Sequence, residues 1–244
     1  MHITELQAVL FDLGNTLSRS ASLSRSLVDI ANSPLAERLK LSTDRLLKIG
    51  LTIEQEISSL YEVERLDQPG WQAVWQAGVK HCGFDFSDNE VAVLCRAHLE
   101  QYLKNCEVEP YSLPVLESLR EARVPLGLVS NVTGPSEIFE SDLSEKGLKP
   151  YFDVIVWSSR VGVRKPHPEI YQIALEKLKL KPSRQIVMIG DHENADILGG
   201  KRMGFTTVKI VSKKDSSVSV ADYVVTGAKL QSLLETKFVQ SKAS

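Results

Sequence analysis

A handful of polar residues stand out for where they fall along the chain. Asp12 ends the apolar run Ala8-Val9-Leu10-Phe11, Ser130 and Asn131 follow the run from Pro125 to Val129, and Gly190-Asp191 follow Gln185 to Ile189, with Asp196 close behind. Lys165 sits in the loop GVRKPHPEIY, where Pro166 and Pro168 restrict the backbone. Carboxylates, a hydroxyl and an ammonium meeting in one place suit a divalent cation and a phosphoryl group. Mg²⁺ takes hard oxygen ligands, usually one or two carboxylates completed by water and phosphate oxygens. Asp12 and Asp191 would supply the carboxylates, and a backbone carbonyl in the turn after Asp12 a further oxygen.

The elements around these residues must bring them together. By turn rules alone, AVLFDLGNTLS reads as a hairpin, because an apolar run ends at a Gly-Asn pair and apolar residues resume. From about residue 20 to 106, however, apolar residues recur at three- and four-residue steps, as in Ile53-Ile57-Leu60 and Val91-Leu94-Cys95-Leu99-Leu103. That block reads as four or five short helices with no clear strand, started by caps such as Thr52 with Gln55 and Ser87 with Glu90, and punctuated by Gly70 and Gly83.

From about 111 onward strands and helices alternate. Strands are expected at 125–129, 152–157, 185–189, 206–211 and 222–225, and helices at 116–123, 139–146, 169–178, 195–203 and 228–238. Such alternation implies parallel βαβ units. The strand at 8–11 has no partner inside the helical block, so it joins this sheet and the hairpin reading loses its second strand. The polar residues then all fall at carboxyl ends of parallel strands, where open α/β sheets bind ligands.

Composition removes other classes. The chain has 244 residues and 43% apolar content, enough to fill a core. Its 29 basic and 31 acidic residues give a net charge of −2, so no global field draws it to nucleic acid or an anionic membrane. Cys82, Cys95 and Cys106 show no CxxC spacing and are odd in number, which suggests neither a disulfide framework nor a zinc site and fits a reducing cytoplasm. No stretch reaches the ~18 apolar residues of a membrane span, and Met1 to Glu5 lacks the basic start of a signal peptide. A soluble cytoplasmic protein with a small-molecule partner is expected, as a monomer or a homodimer.

The sequence resembles the haloacid dehalogenase-like hydrolase superfamily, whose members are mostly phosphatases. The matching pieces are VLFDLGNTL, LGLVSN, VGVRKPHPEIY and IVMIGDHENADILGGKRMG, in that order. The resemblance implies a Rossmann-like three-layer α/β core, residues 1–17 and 109–244, and a small all-helical cap domain at 18–108 between the first and second motifs. It also implies roles. Asp12 would be the nucleophile that carries an aspartyl-phosphate; Ser130, Asn131 and Lys165 would bind the phosphoryl group; Asp12, the Gly14 carbonyl, Asp191 and, indirectly, Asp196 would hold Mg²⁺.

Gly14 departs from the pattern, because the family's phosphatases usually carry there a second aspartate that protonates the leaving oxygen. Losing a general acid typically costs ~10² to 10⁴ in rate. Three accounts are open: a leaving group that departs without much protonation, a proton carried by another residue such as His192, or a reaction other than phosphate ester hydrolysis. For the third, the family's dehalogenases and phosphonatases are the alternatives. A weakened, phosphometabolite-binding protein is a further one. Residue by residue there are plain readings as well: Asp12 alone could cap a turn, Asp196 could favour a helix N-terminus, and His192 could be an exposed loop histidine. Trp71 and Trp75 read as cap core, and SKKDSS at 212–217 as an exposed loop.

Overall fold

The computed structural model describes residues 6–62, 66–212 and 218–238. Its centre is a six-stranded sheet in the order β5-β4-β1-β6-β7-β8, with every adjacent pair parallel. The strands are β1 (Ala8–Phe11), β4 (Leu126–Ser130), β5 (Val154–Trp157), β6 (Ile186–Gly190), β7 (Thr206–Val211) and β8 (Tyr223–Thr226). β1 is central because all four of its side chains are apolar and can be buried on both faces. Alternation then assigns each face. Val9 and Phe11 join Leu126, Leu128, Val187 and Ile189 in one core, whereas Ala8 and Leu10 join Val154, Ile186 and Met188 in the other. β4 and β6 flank β1 in register, Phe11 beside Leu128 and beside Ile189. The strand order therefore reverses direction at β1, and Asp12 follows it at the carboxyl edge.

Among the described residues, five helices lie between residues 20 and 106: α1 (Leu23–Val28), α2 (Pro34–Arg38), α3 (Thr43–Glu62), α4 (Trp71–His81) and α5 (Asp88–Asn105). They bury a core of their own around Leu27, Leu46, Ile49, Ile53, Trp75 and Leu94. The Ser87–Glu90 capping box forms as expected. Thr52 does not cap a helix. It lies inside α3, where its hydroxyl donates to the Lys48 carbonyl at 3.0 Å, the local alternative that threonine offers within a helix. Two short strands also interrupt the helical stretch at its ends. β2 (Ser18–Arg19) pairs antiparallel with β3 (Glu107–Val108). Arg19 braces that ribbon through Glu107 and Glu109, and the Tyr111 and Ser112 hydroxyls donate to the Thr16 and Leu17 carbonyls. Both connections to the helices are thus tied to one another.

Helices α6 (Ser112–Glu121), α7 (Ser136–Glu145), α8 (Ser158–Val161), α9 (Pro168–Leu178), α10 (Gly199–Arg202) and α11 (Gly227–Lys237) complete the α/β part. The helix expected over 195–203 is in fact a π-type segment, Glu193–Leu198, followed by α10. Of SKKDSS, residues 213–217 lie outside the described residues. No described helix is long and apolar enough to cross a membrane, and all three cysteines are buried and free.

One buried group makes stability depend on pH. His98 on α5 is fully buried, and its Nε2 lies 2.8 Å from the Leu23 carbonyl. A carbonyl only accepts, so Nε2 carries the proton when the ring is neutral. Burial pushes its pKa down from 6.5 to about 4, against a smaller opposing pull from the Leu23 carbonyl. Between those values the unfolded chain binds the proton and the folded chain does not, so stability falls as the pH drops. The contribution is about 2 kcal/mol at pH 5 relative to pH 8. Chemical denaturation of wild type and His98→Gln at both pH values should show wild type losing about 2 kcal/mol more than the variant between pH 8 and pH 5. Equal losses would rule out the assignment.

Candidate active site

The chain's path after β1 answers the hairpin question. The Asp12 N–H donates to the Ile189 carbonyl at 2.9 Å, continuing the β1–β6 ladder, and the chain then turns tightly. The Leu17 and Ser18 N–H groups both reach back to the Leu13 carbonyl at 2.9 Å, and Asn15 takes a left-handed φ of 52°. The turn does not start a second strand of the large sheet. It raises the Asp12 carboxylate at the rim.

Lys165 binds the cluster together. Its ammonium, almost wholly buried, donates to Asp12 Oδ1 and to Asp196 Oδ1, each at 2.6 Å. Ser130 Oγ donates to the same Asp12 oxygen at 3.1 Å. Burial disfavours the charged lysine, but Asp12 and Asp196 outweigh it and hold the ammonium above its ordinary range. Asp196 is equally enclosed, with Oδ2 accepting the His192 N–H at 3.0 Å. Gly190 is small for this reason: a Cβ there would lie 2.2 Å from the Asp196 carboxyl carbon.

Asp12, Asp191 and Asp196 offer oxygens that all lie within 4.8 Å of one another. Burial first, then repulsion from Asp12, pushes both Asp191 and Asp196 above the usual carboxylate range. Among the described residues that line the pocket there are three carboxylates and one ammonium, Lys165, which pairs with Asp12 and Asp196, so the lining carries more negative than positive formal charge. Hard oxygens in excess charge fit a divalent cation.

The structure thus brings together every residue expected at the site, with two refinements. Both polar ends of the Asn131 side chain engage the main chain of Lys165: Nδ2 donates to its carbonyl at 3.0 Å and Oδ1 accepts its N–H at 2.7 Å. Asn131 therefore positions Lys165 through its side chain. His192 is likewise committed, because its Nδ1 accepts the Ala195 N–H at 3.1 Å and caps the segment that follows. In the neutral ring, Nε2 then carries the proton. Burial, reinforced by Lys165, lowers the His192 pKa.

Other contributors carried no local signal. Ser158 Oγ accepts the Val132 N–H at 2.9 Å and donates to Gln68 Oε1 at 2.7 Å, fixing the loop after Ser130. Ser20 Oγ would stand 3.2 Å from a Cβ placed on Gly14, whose φ lies outside the left-handed region. No backbone strain demands glycine there. A cavity of about 400 Å³ opens above the carboxylates, lined on its far side by α3, α4 and α5. Trp75 is core, as expected, while Trp71 packs against that core and also faces the cavity.

The chain is similar to known proteins. A family profile described as haloacid dehalogenase-like hydrolase matches residues 6–204. A glyceraldehyde 3-phosphate phosphatase of Methanopyrus kandleri is 27% identical over 84% of this chain and 84% of its own length. The pyrimidine 5'-nucleotidase YjjG of Escherichia coli is 32% identical over 48% of this chain and 51% of its own length, so the match spans about half of that relative. Among solved structures, a HAD phosphatase from Thermococcus onnurineus superposes with a TM-score of 0.66 at 27% identity, covering 96% of this chain and all of that one.

Proposed function

This chain belongs to the haloacid dehalogenase-like hydrolases, and from that premise we propose that it is a Mg²⁺-dependent phosphatase of a small phosphorylated metabolite. The observation that carries the reading is the buried Lys165 bridging Asp12 and Asp196 beside Ser130 and Asp191. The relatives named as phosphatases support it. The helical stretch 18–108 serves as a cap over a core of 1–17 and 109–244, and the free buried cysteines suit a reducing cytoplasm.

Asp12 is the nucleophile. Its carboxylate attacks phosphorus, the bond from phosphorus to the leaving oxygen breaks, and that oxygen takes the electron pair. Water then attacks the aspartyl-phosphate and the bond to Asp12 breaks, restoring the carboxylate; phosphate departs with one of the water's protons, and the other passes to solvent, from which the leaving oxygen takes its own. Lys165 and Ser130 hold Asp12 in one rotamer and face the transferring oxygens, so their charge and hydrogen bond act without reorganisation. Asp12, Asp191 and the Gly14 carbonyl would hold the cation, with Asp196 behind them. When bound, the cation neutralises charge between Asp12 and the incoming phosphoryl group.

The proton supply separates this chain from most of its family. Gly14 offers no acid, and the His192 Nδ1 is committed to the Ala195 N–H, which leaves only the weakly acidic Nε2–H of a neutral ring. Substrates whose leaving oxygen is weakly basic, such as acyl or aryl phosphates, are therefore favoured. The test is phosphate release from an aryl and an alkyl phosphate with Mg²⁺ or with EDTA, in wild type and in Gly14→Asp. Release that requires the metal, strong for the aryl ester, and a gain in Gly14→Asp confined to the alkyl ester are expected. Absence of metal-dependent release from every ester would refute the phosphatase reading in favour of a carbon–halogen or carbon–phosphorus enzyme or a binding protein.

A further inference from the structure

The cavity above Asp12 divides sharply by chemistry. Among the described residues, every formally charged side chain that lines it belongs to the floor: Asp12, Asp191, Asp196 and Lys165. The walls are formed largely by Leu23, Ile57, Trp71, Leu99, Tyr102 and Phe139. Hydroxyls of Ser20, Ser58 and Thr133 add neutral hydrogen-bonding groups. Of the aromatic wall residues, Trp71 and Phe139 are each backed by a buried tryptophan. Trp71 meets the fully buried Trp75 edge-on at 5.7 Å, and Phe139 packs on the buried Trp157 at 5.6 Å. Neither wall is a flexible side chain free to yield its place to water.

Resting on the phosphatase reading, we infer that this cavity selects phosphate monoesters whose leaving group is uncharged and at least partly apolar, and rejects substrates bearing a second anion. The floor accepts one anionic group. Its three carboxylates are offset by the ammonium and a divalent cation, which leaves the phosphoryl charge to be met by hydrogen bonds and the cation itself. A second phosphate or a carboxylate would be desolvated against Leu99, Trp71 and Phe139 with no described cation to pair it. Unpaired charge in such surroundings is costly. At about 400 Å³ the cavity lies toward the small end of the range for small-molecule sites, ~300 to 1,000 Å³, so a leaving group held inside it lies against these walls.

A matched pair isolates this effect from leaving-group basicity: phenyl phosphate against 3-carboxyphenyl phosphate, assayed with Mg²⁺ on the full chain. Wild type should favour the uncharged ester by about 100-fold in kcat/KM. Ser58 lies exposed on α3 while lining the cavity, so Ser58→Lys adds a cation to the wall and should cut that preference at least about tenfold. Phenylphosphonate and 3-carboxyphenylphosphonate, titrated calorimetrically into wild type, provide the same comparison without turnover, and the uncharged one should bind more tightly. Equal kcat/KM for the two esters, or equal binding of the two phosphonates, would overturn the inference. Turnover of neither ester would instead remove the phosphatase reading, and the phosphonate pair would still decide what the walls select.

Discussion

Asp12→Asn is expected to lower phosphate release by at least about 10⁴-fold while leaving the fold in place, since removing a nucleophile that works as part of a unit forfeits nearly all of the catalysis. Asparagine keeps the shape and one carbonyl oxygen but cannot form the acyl phosphate bond. The fold should survive for an electrostatic reason. The substitution weakens one of the two ion pairs of Lys165, yet it also relieves the repulsion that raises Asp191 and Asp196. These effects oppose one another, so the denaturation midpoint should move little. Acid-quenched wild type under turnover should carry a phosphoryl group on the peptide containing Asp12, and the variant should carry none. Turnover persisting in Asp12→Asn, with the label on another residue, would remove Asp12 from the chemistry.

The site was legible in the sequence where the signal was local. An apolar run ending in an acid marks Asp12, and β4 and β6 announce Ser130 and Asp191 in the same way. The parallel sheet then brings these ends together without further information, because register and strand order follow from burying both faces. Features made by residues distant in sequence were invisible. The β2–β3 ribbon consists of two-residue strands whose partners are Ser18 with Val108 and Arg19 with Glu107, too short for any period to register. The Asn131 clamp on Lys165 needs a loop from each of two strands to meet. Local signals also misled once. Thr52 followed by Gln55 has the pattern of a cap, but continuous burial of Leu46, Ile49 and Ile53 on one face keeps α3 unbroken through it.

Lys165→Met should combine a loss of turnover with a loss of stability whose pH dependence identifies its cause. The ammonium lies between Asp12 and Asp196, almost wholly enclosed, and methionine keeps most of the stem while removing the charge. Breaking a buried pair by removing one partner costs about 3 to 5 kcal/mol, because the other charge is left uncompensated. Here two carboxylates lose their partner at once, and Asp191 adds a third negative charge nearby. The folded-state pKa values of Asp191 and Asp196, already raised, must rise further. A carboxyl with a raised folded pKa binds more protons folded than unfolded, so its penalty is full above that pKa and fades as the pH falls toward the unfolded value. The gap between wild type and Lys165→Met should therefore be largest near pH 8 without divalent cation and shrink by pH 5. Taking the difference at each pH cancels the His98 contribution, which both proteins share and which runs the opposite way. Mg²⁺ at about 100 times its dissociation constant should stabilise the variant by ~2.7 kcal/mol at pH 8, and should stabilise wild type less at the same concentration, because losing the ammonium leaves more negative charge for the cation. A gap that is the same at pH 8 and pH 5, and that Mg²⁺ leaves unchanged, would mean that Lys165 stabilises the fold through packing of its stem and does not neutralise the carboxylates.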